Sequence, residues 1–408
     1  MNVKVLDAPK KVLVLGGTGA MGVYLVPELA LLGYDVSVTS RSAHTSNNCR
    51  VSFLQGDAKD DRFLQTLLTQ SYDAVIDFMV YHTPDFEQRF ETLLTNVNHY
   101  IFLSSYRVYS DNGEEPITED SPRLLDVITD QKYLSTDEYA LTKARQENML
   151  KNSQHKNWTI VRPAITYSKS RFQLGTMEAG EFLYRALQNK DIIFPKEMLE
   201  KETTMSWAGD VARMIARLVL NEKAYGETYT VSTSEHHKWQ EVVGYYQKIL
   251  GVGVKIVDLD TYRKIIGRPW QIKYDRMFHR VIDNSKILSI TNMEQEELMP
   301  LYDGLRIELA KFSLKPVFSG LDPEREAKID AITGTAPSPA KKEQAKPKTD
   351  KKVVPSSKSQ IPPKRSEKFK KELKGIIKKI APLWLHPFLK RTWRKLKRLK
   401  SHIHTYIR

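Results

Sequence analysis

VLVLGGTGAMG, residues Val12 to Gly22, decides the fold. Its first four residues, Val12 to Leu15, are apolar without a break and read as a strand covered on both faces. Glycines then recur at every third position, Gly16, Gly19 and Gly22. That spacing suits a phosphate-binding turn. Gly16 lets the chain leave the strand tightly, Gly19 leaves bare backbone for a diphosphate, and Gly22 admits a helix packed close to the strand. An amphipathic helix over Met21 to Leu32 follows, with its free N–H groups and positive dipole end turned toward the anion. Gly16, Gly19, Ala20, Met21 and Gly22 are therefore expected to contact a dinucleotide.

Working outward, Tyr34 to Thr39 alternates as a second strand and ends in Ser40, Arg41, Ser42. A free ribose 2′-hydroxyl is usually held by an acid at this point, whereas a 2′-phosphate wants a cation, so Arg41 favours NADP over NAD. Cys49 to Leu54 reads as the third strand. It is followed by Asp57, which either faces the adenine edge or caps the helix starting near Asp60. Ala74 to Val80 is the fourth strand and places Phe78 among the cofactor contacts; Tyr100 to Ser104 is the fifth and Thr159 to Arg162 the next. Strands alternating with helices specify an α/β fold, a Rossmann-type doubly wound parallel sheet.

The alternation weakens after Phe172, where helices at Met177 to Gln188, Asp210 to Leu220 and Trp239 to Leu250 mix with strands at Thr228 to Val231 and Val254 to Val257. The expected organisation is a dinucleotide-binding domain over 1–165 and a smaller substrate domain over 166–321, interleaved with the sheet. A disordered linker is expected over 322–364 and a basic helical tail over 365–408.

The net charge of +14 belongs to the tail. Residues 340–408 carry 23 Lys and Arg against 4 Asp and Glu, a balance of +19, leaving residues 1–339 with 40 against 45, or −5. The body therefore needs no nucleic acid to explain its composition. The single cysteine, Cys49, excludes an internal disulfide framework and suits a reducing cytosol. No secretory leader, membrane span or metal site is expected.

Of the nineteen tyrosines, only Tyr139 has a lysine four residues later, Lys143. That spacing puts both on one helix face. A phenol with a pKa near 10 is a poor base at neutral pH, and an ammonium beside it favours the phenolate. Lys143 also has the reach to hold a nicotinamide ribose. Ser105, at the end of the fifth strand, is placed to orient a substrate hydroxyl or carbonyl, so the expected catalytic set is Ser105, Tyr139 and Lys143.

The chain resembles an extended or atypical short-chain dehydrogenase/reductase of the NAD-dependent epimerase/dehydratase family. The pieces that carry the likeness are GGTGAMG at Gly16 to Gly22, GDAKD at Gly56 to Asp60, YIFLSSYRVYSD at Tyr100 to Asp111, YALTK at Tyr139 to Lys143 and TIVRP at Thr159 to Pro163. They continue with SWAGDVARMI at Ser206 to Ile215 and YGETYTVSTSEHHKWQEVV at Tyr225 to Val243. The resemblance implies an active-site serine at Ser105, a catalytic base at Tyr139 with Lys143 as its partner, and an adenine contact at Asp57. It further implies an NAD(P)-dependent epimerase or reductase of a sugar or nucleotide sugar, working in surface polysaccharide or glycoconjugate synthesis.

Departures narrow this. Sugar-nucleotide 4,6-dehydratases have Thr-Asp-Glu after the active serine position, where this chain has Tyr106, Arg107 and Val108, so dehydration is not expected. Many epimerases also have an asparagine where this chain has Ile165, and Tyr-Gly-Pro where it has Tyr167, Ser168, Lys169. An atypical branch that includes chloroplast stem-loop RNA-binding proteins shares VIDFMVYHT and the Trp239 segment. Some of that branch lack the tyrosine and lysine, so the alternative reading is a non-catalytic dinucleotide- or RNA-binding member.

In the tail, Phe369, Leu373, Ile376, Ile377 and Ile380 form one helical stripe. Leu389, Trp393, Leu396, Leu399 and Ile403 form another among Lys and Arg. Each segment suits the interface of an anionic leaflet better than a nucleic acid. The expected location is cytoplasmic and peripheral at the inner membrane face, with a homodimer among the expected partners.

Overall fold

The computed structural model describes residues 8–113, 115–314, 316–318 and 320–334; the basic tail and most of the expected linker lie outside them. Seven parallel strands form the central sheet: β1 (Lys11–Leu15), β2 (Asp35–Ser40), β3 (Val51–Gln55), β4 (Ala74–Asp77), β5 (His99–Leu103), β6 (Trp158–Val161) and β7 (Glu227–Tyr229). Their order is β7-β6-β5-β4-β1-β2-β3, so the winding reverses between β1 and β4. The crevice beyond the carboxyl ends of these two strands is where such sheets bind ligands.

The alternation along β1 explains why both faces are covered. Val12 and Val14 enter one core with Leu25, Val26 and Leu29 of α1 (Gly22–Leu31), and with Val211, Met214 and Ile215 of a helix over Ala208–Leu218. Leu13 and Leu15 enter the other core with Leu64, Leu67, Phe86 and Phe102. Val12, Leu13, Val14 and Leu15 are all fully buried, so beyond Lys11 this strand has no solvent face.

The fourth strand ends at Asp77 rather than Val80. Phe78 still donates its N–H to the Leu15 carbonyl at 3.0 Å, after which the Asp77 carboxylate takes the Met79 N–H at 2.9 Å and turns the chain out of the ladder. The substrate-side region carries small sheets of its own: Ile192–Pro195 pairs parallel with Val254–Val257, and Glu202–Trp207 lies between Ile165–Tyr167 and His236–Lys238. It also returns β7 to the main sheet beside β6.

One correction concerns the start of the linker. Residues 323–333, expected within it, form a helix (Pro323–Thr333) capped by Asp322. Its Glu326 and Asp330 pair with buried Arg185 at 2.8 and 2.9 Å, and Lys190 joins Asp330 at 2.7 Å. These acids sit three and seven residues into a helix that carries one buried apolar side chain, Ile329, so composition alone hid it. Residues 306–317 belong to a second unit, whose described part is helical as far as Leu314. Among the described residues no helix is long and apolar enough to cross a membrane.

Candidate active site

At the end of β1, Gly16 takes φ +70°, a conformation that strongly favours glycine, and its N–H donates to the Thr39 hydroxyl of β2 at 2.9 Å. A Cβ on Gly22 would lie 2.1 Å from the Gly17 carbonyl oxygen, so α1 abuts the loop. A Cβ on Gly19 would meet only the Gly16 oxygen, at 3.9 Å, and otherwise open space. No side chain caps the N-terminus of α1, where Met21 is the cap residue and Ala20 precedes it. The loop is thus tight on the protein side and bare on the other, as a diphosphate cradle has to be.

Phe78 borders this loop, its Cβ 3.8 Å from where a Gly16 Cβ would stand. Arg41 and Asp57 lie exposed at the paired ends of β2 and β3, linked by a hydrogen bond from the Gly56 N–H to the Ser40 carbonyl. The helix that begins at Asp61 is capped by Asp60, which leaves Asp57 free for the cofactor edge apart from accepting the Lys59 N–H at 3.0 Å. An acid and a cation therefore stand exposed just past the paired ends of these two strands.

Tyr139 opens a helix over Tyr139–Asn152. The preceding Glu138 caps it by accepting the Ala140 N–H at 2.9 Å. Burial raises the phenol's pKa, while Arg171, Arg107 and a hydrogen bond with the Ser105 hydroxyl pull it back down. Ser105 and Tyr139 are thus brought together. Lys143 lies one turn on, but its ammonium sits 4.5 Å from the Phe102 ring centroid, fully buried and without a hydrogen-bond partner. Burial lowers its pKa to about 8, and the charges opposing that fall are Asp77 and Glu147. The expected ammonium beside the phenol is therefore turned toward the sheet. The guanidinium of Arg107 stands 5.3 Å from the Tyr139 ring centroid.

Sequence reasoning missed the surrounding charges. Asp77 is buried, accepts from the Tyr100 hydroxyl at 2.9 Å and the Tyr81 hydroxyl at 3.1 Å, and has its pKa raised by burial. Glu147 accepts from Ser104 at 2.6 Å and binds Arg162 through two nitrogens at 2.8 and 2.6 Å, which hold it in its charged form despite burial. The spacing signal was present here: Tyr139, Lys143 and Glu147 recur every four residues on one helix face. Arg107 pairs with Glu138 at 2.5 Å and with Asp275 at 3.3 Å. Asp275 lies in a π-helical turn, Ile272–Arg276, and also pairs with Arg276 and, at 3.2 Å, with Arg280.

The profile of the NAD dependent epimerase/dehydratase family matches residues 12–232, more than half of the chain. The chain belongs to that family. Among curated relatives it is 24% identical over 246 residues to the chloroplast stem-loop binding protein of 41 kDa b from Arabidopsis thaliana, covering 56% of this chain and 60% of that one. It is 29% identical over 141 residues to UDP-glucose 4-epimerase from Neisseria meningitidis serogroup B, covering 28% and 42%. The chain thus spans less than two thirds of either relative. The structure of Thermus thermophilus UDP-glucose 4-epimerase in complex with NAD superposes with a TM-score of 0.56 at 19% identity, over 75% of this chain and all of that one, which shows a shared fold.

The site's own features fit a nicotinamide dinucleotide: a bare, uncapped glycine cradle at one end and, at the other, an orphaned buried ammonium on the helix that Tyr139 opens, one turn from it. Gly16, Gly19, Ala20, Met21 and Gly22 would hold the diphosphate, Phe78 and Lys143 the nicotinamide half.

Proposed function

We propose that this family member is an NAD(P)-dependent epimerase or reductase acting on a hydroxyl or ketone of a sugar or nucleotide sugar. The observation that carries this reading is the Lys143 ammonium, buried with no hydrogen-bond partner one helical turn from a phenol that contacts Ser105. An unsatisfied buried cation costs several kcal/mol unless something binds it, and a ribose diol would supply the missing acceptors. When bound, the dinucleotide supplies hydride exchange at the substrate carbon. Ser105 orients the substrate oxygen, and Tyr139 takes or returns its proton. Tyr106, Arg107 and Val108, where the dehydratases have Thr-Asp-Glu, offer no acid-base pair for water loss, which supports exchange at one carbon over elimination.

Arg41, directly following β2, supports a 2′-phosphate, so NADP is the favoured cofactor, with Asp57 facing the adenine edge. The tail over 365–408 is proposed to bind anionic membrane, each basic side chain near the surface contributing about 1 kcal/mol. Equal sedimentation of the full chain and a 1–339 truncation with anionic vesicles would remove that part.

The deciding experiment mixes the protein with dinucleotide and candidate sugar nucleotides and follows nicotinamide absorbance and product isomers. Tyr139→Phe is expected to lose turnover about 10²- to 10⁴-fold while keeping dinucleotide affinity. Unchanged turnover would remove the catalytic assignment. The likeness to a stem-loop binding protein favours a second reading, RNA binding by a non-catalytic member. A stem-loop bound equally by wild type and Tyr139→Phe, with no turnover in either, would favour it.

A further inference from the structure

We propose that Asp77, at the end of β4, is the counter-charge that keeps Lys143 an ammonium, and is thus a positioning residue for the proton transfer at Tyr139. The inference rests on the reading of Tyr139 as the acid/base and of Lys143 as its partner.

The sheet sets the two charged groups on one side. Asp77 and Phe102 are register partners in the parallel pair β4 and β5, so their side chains leave the sheet on the same face, as does Tyr100 two residues earlier. The helix Tyr139–Asn152 covers that face, its Leu150 packed in one core with Val75, Tyr100 and Phe102. From this helix Lys143 brings its ammonium to 4.5 Å from the Phe102 ring centroid, one strand away from Asp77 at the same level of the sheet.

Every hydrogen bond of the Asp77 carboxyl is one that it accepts. The Met79 N–H reaches it at 2.9 Å, the Tyr81 hydroxyl at 3.1 Å and the Tyr100 hydroxyl at 2.9 Å. Burial raises both phenols well above the ordinary tyrosine value and so keeps them protonated. A proton on Asp77 would have to displace one of these donors, so the arrangement selects the carboxylate. Burial pushes the carboxyl up, and the Met79 N–H, the Tyr100 hydroxyl, Lys143 and the Tyr81 hydroxyl pull against it. Arg89 stands 4.6 Å from the Tyr81 ring centroid, but its nitrogens are engaged by Asp61 and by the Asp85, Ala58 and Lys59 carbonyls.

Two acids act on Lys143, Asp77 and Glu147. Glu147, on the same helix, is already held by Arg162 at 2.8 and 2.6 Å, Arg123 at 3.1 Å and the Ser104 hydroxyl at 2.6 Å. The remaining titratable groups here, Tyr81, Tyr100 and, one helical turn back, Tyr139, are buried phenols that stay neutral at pH 7 in the free protein. Asp77 therefore keeps its charge for the lysine, and away from water that attraction is strong. The lysine's pKa of about 8 is what remains after Asp77 has opposed the larger effect of burial. Without Asp77 the lysine is neutral at pH 7, and the phenol loses the positive charge that favours its ionised form.

The test titrates the lysine directly and needs no substrate. The full chain is labelled with carbon-13 at the lysine ε-carbons, and the NMR signal missing from Lys143→Met is followed against pH. Wild type is expected to show a midpoint near 8. Asp77→Asn is expected to lower it by about one pH unit or more, a tenfold loss of proton affinity. An unmoved midpoint in folded Asp77→Asn overturns the proposal. Should Asp77→Asn fail to fold, the coupling is read from its other end, because it is reciprocal: in Lys143→Met the Asp77 carboxyl, followed by carbon-13 in the aspartate side chains, titrates about one unit higher than in wild type. No change there overturns the proposal as well. Normal turnover in Tyr139→Phe would instead strike the catalytic reading and leave the coupling of Asp77 to Lys143 standing.

Discussion

The glycine loop after β1 presents bare backbone; the wall around Tyr139 presents side chains held in place by one another. The glycine loop owes its shape to what is missing: a Cβ at Gly16, Gly19 and Gly22. The opposite wall owes its shape to Arg107, Glu138, Asp275, Arg276 and Arg280, which come from segments far apart in the chain and are largely withdrawn from water. A backbone cradle tolerates loss of charge but not gain of volume. An ionic wall tolerates changes of volume but not loss of a partner.

The largest effect should come from the wall. Asp275 is fully buried; burial alone would raise its pKa, but Arg276, Arg280 and Arg107 hold it below the usual carboxylate range. Asp275→Ala would leave three guanidinium groups without their shared acid and is expected to cost about 3–5 kcal/mol. Urea denaturation checks this. A loss under 1 kcal/mol would mean that water reaches the cluster and that the contrast between the two sides is overdrawn.

Between the two sides stands Lys143, whose pKa falls to about 8 from 10.5 because it is buried. Below pH 8 both folded and unfolded chains hold the proton, and the folded protein bears the whole cost of the buried charge. From pH 8 to 10.5 the unfolded chain keeps a proton that the folded one has shed, so wild-type stability rises with pH. Lys143→Met is therefore expected to be more stable than wild type by about 3 kcal/mol at pH 7, with the gap closing as pH approaches 10.5. Saturating dinucleotide should narrow the gap at pH 7, since only the lysine gains a partner. Parallel pH profiles of the two proteins' melting temperatures would contradict the assignment.

The same contrast sets what could be read from the sequence. β1, the glycine spacing and the helix after it are local patterns, and all three lie within a residue of where the sequence puts them. The Tyr139–Lys143 spacing is local as well, and it located the helix, but not which way the ammonium turns. That depends on the Phe102 ring and on Asp77, which arrive from other strands. Arg107 was visible only as a departure from the dehydratase pattern. Its ion pairs are to Glu138, 31 residues on, and Asp275, 168 residues on, and no periodicity links them. The helix Pro323–Thr333 escaped for a related reason: much of what holds it is ionic pairing to Arg185 and Lys190.

The smallest effects separate the two jobs a loop glycine does. Gly22→Ala drives a Cβ to 2.1 Å from the Gly17 carbonyl oxygen, and because backbone has to move, a loss of about 1–3 kcal/mol is expected together with weaker dinucleotide binding. Gly19→Ala meets no atom closer than 3.9 Å and no left-handed φ, so the free protein should be unchanged or gain about 0.4–1 kcal/mol from a stiffer unfolded chain. Its cost appears only when a diphosphate needs the space that the methyl group fills, as roughly a tenfold loss of affinity, or about 1.4 kcal/mol. Calorimetric titration with NADP and with NAD beside thermal melting reads both quantities. Opposite signs for stability and affinity in Gly19→Ala, against matching signs in Gly22→Ala, would place the diphosphate against Gly19; equal affinity for Gly19→Ala and wild type would move it elsewhere.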